Sequence, residues 1–197
     1  MISITKNQAR VVEFLVRNFN EKNSINQIGR RLSLSPRGIY KILKNLEGQG
    51  IIVPQKIGNG IFYGIDFDRE TGIKTAELVL VQKEMNNYAK AQADDLIPLK
   101  EIALSCILFG SVISKGREAG DVDIMLIIKD KSYKDVHDKL LEIGKLKPKK
   151  IHDLTLTKED FYNGVKKKDA VILNALRTGE VLWGSEIVVE AIKNGAD

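Results

Sequence analysis

Residues 105–128 read SCILFGSVISKGREAGDVDIMLII: Gly110-Ser111 closes the apolar run Ser105-Cys-Ile-Leu-Phe109, and Asp121-Val-Asp123 opens a second run, Ile124-Met-Leu-Ile-Ile128. Each run has the length and composition of a strand. Alternate residues of a strand share a face, so Asp121 and Asp123 project together. At about 5 Å two carboxylates repel by on the order of 3 kcal/mol at an effective dielectric of 20. A cation between them removes that cost, and hard oxygen ligands favour Mg2+ or Mn2+ over zinc. Gly110 permits close approach of a ligand to the backbone, and Ser111 offers a hydroxyl and an amide hydrogen where the next segment begins, a cradle for phosphate oxygens. Metal-binding carboxylates facing such a cradle imply phosphoryl or nucleotidyl transfer, in which the protein positions reactants and neutralises charge.

Further along, Lys150-Ile-His-Asp-Leu-Thr-Leu-Thr157 alternates like a strand, and Ile172-Leu-Asn-Ala-Leu-Arg-Thr-Gly-Glu-Val-Leu-Trp-Gly184 reads as a helix followed by a strand. Over residues 98–185 the pattern "LFGS", a glycine-bearing basic loop and "DVDIMLII" resembles the minimal nucleotidyltransferases of the DNA polymerase beta superfamily. That resemblance implies a mixed sheet flanked by helices and Mg2+-dependent transfer of a nucleoside monophosphate, with ATP as the expected donor, to a hydroxyl acceptor. It also implies Asp121, Asp123 and Asp153 as a catalytic metal triad, with Gly110 and Ser111 binding the nucleotide. Two positions depart from the family pattern. Gly120 stands where a serine usually precedes the first aspartate, and Val112 where an arginine usually follows Gly-Ser. Lys115 and Arg117 are the candidates to supply the missing charge to the triphosphate. His152 alternates to the face opposite Asp153 and is expected to be structural or exposed, Trp183 to be core, and Lys166-Lys-Lys168 to be a solvated face. Related minimal nucleotidyltransferases include antitoxins that adenylylate a partner toxin, so a protein acceptor is one expectation, beside a tRNA or a small molecule. The rival reading is a non-catalytic transcriptional regulator or antitoxin whose carboxy-terminal domain only binds nucleotide or a partner.

The whole chain, 197 residues with 43% apolar and 29% charged side chains, has an ordinary composition for one large or two small globular domains. Its net charge of +5 is unevenly spread. Residues 1–65 carry ten Lys/Arg against three Asp/Glu, a net +7, and the remaining 132 carry a net −2. Such asymmetry is expected of a nucleic-acid-binding module joined to a module of different chemistry. The single cysteine, Cys106, lies in an apolar run and is expected to be a buried free thiol, which fits a reducing cytoplasm. No apolar stretch approaches the roughly 18 residues of a membrane span, and the polar amino terminus lacks a signal-peptide core, so no membrane partner is expected.

In the basic third, Val12, Leu15, Val16 and Phe19 recur at helical spacing. Ser24-Ile-Asn-Gln27 has the spacing of a capping box and starts a second helix carrying Ile25, Ile28 and Leu32 inward. Ser35-Pro36 starts a third, to about Gln49. The apolar face of that helix is Ile39, Ile42, Leu43 and Leu46, which leaves Arg37, Tyr40, Lys41 and Lys44 on the outer side. Two strand-like runs then flank Gly58-Asn59-Gly60, where Asn-Gly reads as a hairpin turn with positive φ at both turn positions. Three helices and a hairpin in this order resemble the winged helix-turn-helix family over residues 5–66. The resemblance implies double-stranded DNA as a partner, with the third helix in the major groove and the wing on the backbone. Arg37, Tyr40, Lys41 and Lys44 would then lie near bases or phosphates and Lys56 near phosphate. The same residues also fit a merely solvated face, or a protein- or RNA-binding module. Neutralisation of five phosphates in all would give a log–log salt slope of about −4 to −5.

The expected fold class is therefore α+β in two domains: a winged helix at 1–68, a linker helix within 69–97, and a nucleotidyltransferase domain at 98–197. Apolar residues Ala76, Val79, Leu80, Met85 and Tyr88 along the linker fit either a connecting helix or the seam of a homodimer.

Overall fold

Three side-chain oxygens start the first three helices. Thr5 caps α1 (Lys6–Arg17): its hydroxyl accepts the Gln8 amide, and the Gln8 side chain accepts the Thr5 amide in return at 2.7 Å. Ser24 and Gln27 make the same reciprocal pair at the start of α2 (Ile25–Leu32). Ser35 accepts the Gly38 amide at 3.2 Å ahead of α3 (Pro36–Gly48), whose first residue is the proline. Each cap satisfies amides that a helix start leaves without partners. These elements belong to a computed structural model that describes residues 4–81 and 85–195 and divides into two compact units, residues 1–80 and 81–195.

In the first unit, α1–α3 pack Val11, Val12, Leu15, Val16, Ile28, Ile39, Leu43 and Leu46 into a core with almost no exposure. The α2–α3 turn is tight: Ser33 has φ +56°, and the Leu34 amide donates to the Gly29 carbonyl at 2.9 Å. Strands β1 (Ile52–Ile57) and β2 (Gly60–Ile65) form an antiparallel hairpin. A bridge between Ser24 and Phe62 adds a third, minimal strand, with the Tyr63 amide donating to the Asn23 carbonyl at 2.9 Å. Helix, short strand, two helices and hairpin make up a winged helix-turn-helix topology. The turn differs from expectation. Ile57 pairs with Gly60, so Gly58 and Asn59 are the turn residues, and only Gly58 has positive φ, the signature of a type II′ turn with glycine first. Helix α4 (Glu70–Val81) closes the unit, Thr71 donating its hydroxyl to the Gly50 carbonyl at 2.6 Å.

The expected linker helix is divided. Asn86 sits in extended backbone and its side chain accepts the Ala89 amide, so a new helix, α5 (Asn87–Leu96), starts there. Residues 82–84 of that linker, residues 1–3 of the amino terminus and residues 196–197 lie outside the described residues.

The second unit is built on a mixed sheet of order β5-β4-β3-β6, with β3 (Ala103–Phe109), β4 (Val122–Ile128), β5 (Ile151–Thr157) and β6 (Glu180–Trp183). β3 runs antiparallel to β4 and to β6, and β4 parallel to β5. The short α6 (Ser111–Lys115) leads into the loop before β4, and α7 (Tyr133–Lys145) connects the two parallel strands. One sheet face, with Cys106, Leu108, Val122, Ile124 and Leu126, packs on Leu96 and Leu99 and on Val136, Leu140 and Ile143 of α7. The alternate residues Ile107, Met125 and Ile127 line the other face, on the side of α8 (Lys158–Lys166), α9 (Ala170–Thr178) and α10 (Ser185–Gly195). Cys106 is fully buried, and burial pushes its thiol pKa far up, as expected of an inert core cysteine. Trp183 is core as well, its indole N–H donating to the Ala103 carbonyl at 3.0 Å.

Candidate functional site

Two clusters of charged and polar side chains stand out, one in each unit. In the second, strand register brings the acidic pair together with a residue that alternation alone assigned elsewhere. Phe109 pairs with Asp123 across β3 and β4, which sets the Gly110-Ser111 turn beside the aspartates. Gly110 has φ +76° and ψ −157°, a conformation almost confined to glycine. A Cβ there would lie 2.1 Å from Asp123 Oδ2. The close approach anticipated at this glycine is thus made by the Asp123 carboxylate itself. Asp123 is held above the usual carboxylate pKa, first by partial burial and then by the charge of Asp121, with His152 opposing the shift.

The third member is His152. In the parallel β4–β5 ladder Asp123 pairs with His152, and Asp153 pairs with Ile124. His152 Nδ1 lies 3.3 Å from Asp121 Oδ2 and 3.8 Å from Asp123 Oδ1. The triad assignment of Asp153 is corrected by this register: paired residues share a face, so Asp153 shares that of the core residue Ile124. Its carboxylate accepts the Thr155 hydroxyl at 2.6 Å instead. One ligand atom from each of Asp121, Asp123 and His152 can be chosen so that all three lie within 4.8 Å of one another. Two carboxylates and an imidazole nitrogen, half-open to solvent and strained by like charge, fit one divalent cation.

The loop between turn and aspartates is tied down by two side chains that sequence reasoning did not single out. Asn86, besides capping α5, donates to the carbonyls of Val112 and Ile113 at 3.1 and 2.9 Å. Lys149 donates to the carbonyls of Arg117 and Ala119, with its ammonium 4.9 Å from the centre of the Tyr88 ring. Neither residue lies in a motif; only the fold brings them to the loop. Ser111 is half-buried at the start of α6, while Lys115 and Arg117 are exposed.

In the first unit Arg37, Tyr40, Lys41 and Lys44 are all exposed on α3, and Lys56 is exposed on β1. Lys44 is not a free cation. It makes an ion pair with Glu47 at 2.9 Å, and this hydrogen bond raises its pKa. Arg30 and Arg31, at the end of α2, add two exposed cations to this unit.

No family model matches the chain, and no curated protein does. Among solved structures, ZitR of Lactococcus lactis, a zinc-responsive MarR family member, is 21% identical, with a TM-score of 0.33 over 51% of this chain and 76% of that one. A complex of S. aureus MepR with DNA is 18% identical, with a TM-score of 0.35 over 50% of this chain and 77% of that one. A hypothetical protein is 10% identical over 92% of this chain and 69% of its own, with a TM-score of 0.33. The chain spans 63% of the length of a ZitR variant, and the winged-helix assignment rests on the element order and pairings of the first unit. Among the described residues, no helix is long and apolar enough to cross a membrane.

Proposed function

We propose that the protein binds double-stranded DNA through α3 and the wing, and that its second unit is a metal-dependent nucleotidyltransferase that transfers AMP from ATP to a hydroxyl acceptor. The observation that supports the transferase reading is the close approach of Gly110 to Asp123, which puts the Gly110-Ser111 turn and the acid pair at one end of one sheet. Asp121, Asp123 and His152 would hold the ion. A divalent cation bound there neutralises phosphate oxygens and makes the phosphorus more electrophilic.

The remaining work falls to side chains and backbone of this chain. The Ser111 amide and hydroxyl donate to phosphate oxygens, while Gly110 leaves room for the Asp123 carboxylate beside them. Lys115 and Arg117 offer exposed positive charge to the outer phosphates in place of the arginine that Val112 replaces. Lys149 and Asn86 hold the loop that carries these groups, so that positioning, the main protein contribution to such chemistry, is set before substrate arrives.

A second reading is favoured by one observation. With Asp153 on the other face of the sheet, no third carboxylate among the described residues joins the acid pair to hold a second ion, which suits a regulator that binds nucleotide without turnover. ATP labelled at the α-phosphate separates the two. Label transferred to a partner protein, to RNA or to the chain itself, and lost in Asp121→Asn, supports the enzyme. ATP binding that persists without transfer across a broad acceptor screen supports the regulator. DNA binding is supported by the +7 charge of residues 1–65 and the exposed cations of α3, and is tested by titration of a labelled duplex.

A further inference from the structure

The all-oxygen set expected of a Mg2+ site is broken here by one residue. Parallel register puts an imidazole, not a third carboxylate, opposite Asp123, with Nδ1 at 3.3 and 3.8 Å from the two aspartates. Ligands bound at about 2.0–2.2 Å to one ion lie roughly 3–4 Å from one another, so these separations need little adjustment to close on a single cation. Mg2+ takes oxygen ligands in strict octahedral geometry and gains little from imidazole, whereas the later divalent ions bind nitrogen well. The residue that would have restored an all-oxygen set, Asp153, is on the opposite face and engaged by Thr155.

We infer that His152 is a metal ligand that gives this site a preference for a first-row transition cation, such as Mn2+, over Mg2+. The inference rests on the metal reading of Asp121 and Asp123 and names the ion which that site selects. The Coulombic attraction of the two carboxylates serves any divalent cation alike; the imidazole supplies the discrimination. His152 is more than half exposed, so replacing it disturbs no core packing.

The test is Mn2+ binding to the full chain followed by electron paramagnetic resonance, with pulsed detection of directly bound nitrogen. Mg2+ affinity is measured separately by calorimetry, and the fold of each variant is checked by circular dichroism. The wild type is expected to bind Mn2+ at least about tenfold more tightly than Mg2+ and to show imidazole nitrogen coupling. His152→Ala should lose that coupling and weaken Mn2+ by about tenfold or more while changing Mg2+ far less. His152→Asp should narrow or reverse the preference. If Mn2+ binds, is lost in Asp121→Asn and shows no nitrogen coupling, the role of His152 is overturned while the metal site stands. If neither ion binds at millimolar concentration, the metal reading fails, and this inference with it.

Discussion

Glu47→Gln should make DNA binding both tighter and more salt-dependent. In the free protein Lys44 is held by Glu47 at 2.9 Å and is therefore already neutralised before it meets a phosphate. Tyr40 is not a cation, so the five residues expected at the interface offer three unpaired cations: Arg37, Lys41 and Lys56 have no acidic partner among the described residues. Each phosphate neutralised contributes about −0.9 to the log–log slope, which gives about −2.7 for three contacts and about −3.6 once Lys44 is released. Between 50 and 200 mM salt those slopes correspond to losses of about 40-fold and about 150-fold in affinity. Fluorescence anisotropy of a labelled duplex, titrated across KCl concentrations, reads the slope directly. Lys44→Ala should leave the wild-type slope unchanged, and adding it to Glu47→Gln should return the slope to the wild-type value. A steeper slope that survives in the double variant would refute the role given to Lys44. A wild-type slope near zero would refute DNA binding by this face altogether.

Removing the acid repulsion should stabilise the metal-free protein. Because the folded state holds Asp123 above its ordinary pKa, ionising it costs stability, which falls as pH rises from the ordinary carboxylate range through the folded value. Thermal melts at neutral pH in chelator should therefore show Asp123→Asn melting above the wild type, with the gap closing toward about pH 4, while added Mn2+ should raise the wild-type melting temperature only. Gly110→Ala should cost at least about 1–3 kcal/mol by denaturant titration from backbone strain alone, since its φ and ψ are nearly confined to glycine. The clash of the new methyl with Asp123 should also abolish metal binding, and an unchanged unfolding midpoint would contradict the conformation assigned to that turn. Lys149→Met should cost about 0.5–1.5 kcal/mol through the part-buried Ala119 carbonyl it releases, the Arg117 carbonyl being open to water, and hydrogen exchange should quicken at residues 116–121 rather than across the sheet.

Much of the amino-terminal unit was legible because its signals are local. Capping pairs three residues apart, a proline at the first helical position and a 3.6-residue apolar period report directly on backbone conformation. The hairpin was legible in place but not in turn type, since Gly58-Asn59 and Asn59-Gly60 compete as turn residues and pairing across the strands decides between them. The minimal strand at Ser24, formed with Phe62, leaves no periodic trace. The break at Asn86 was missed because helical spacing on both sides masks the cap between them.

In the second unit the sequence alone determined which residues alternate. Asp123 lies on β4 and Asp121 immediately before it, two apart along the chain, so extended backbone turns both to one face, and Gly110-Ser111 must follow the strand that ends at Phe109. Alternation also separates His152 from Asp153 by face. It cannot say which of the two joins the aspartates, because that depends on the register of β5 against β4, and a shift of one residue exchanges the answer. Tertiary structure made that choice by placing Ile151 on the core packed against α7 and pairing Leu154 and Leu156, which alternate with His152, with Met125 and Ile127 on the other face, leaving His152 opposite Asp123. Burial of apolar side chains on both faces of β5 thus sets an imidazole rather than a third carboxylate beside the acid pair.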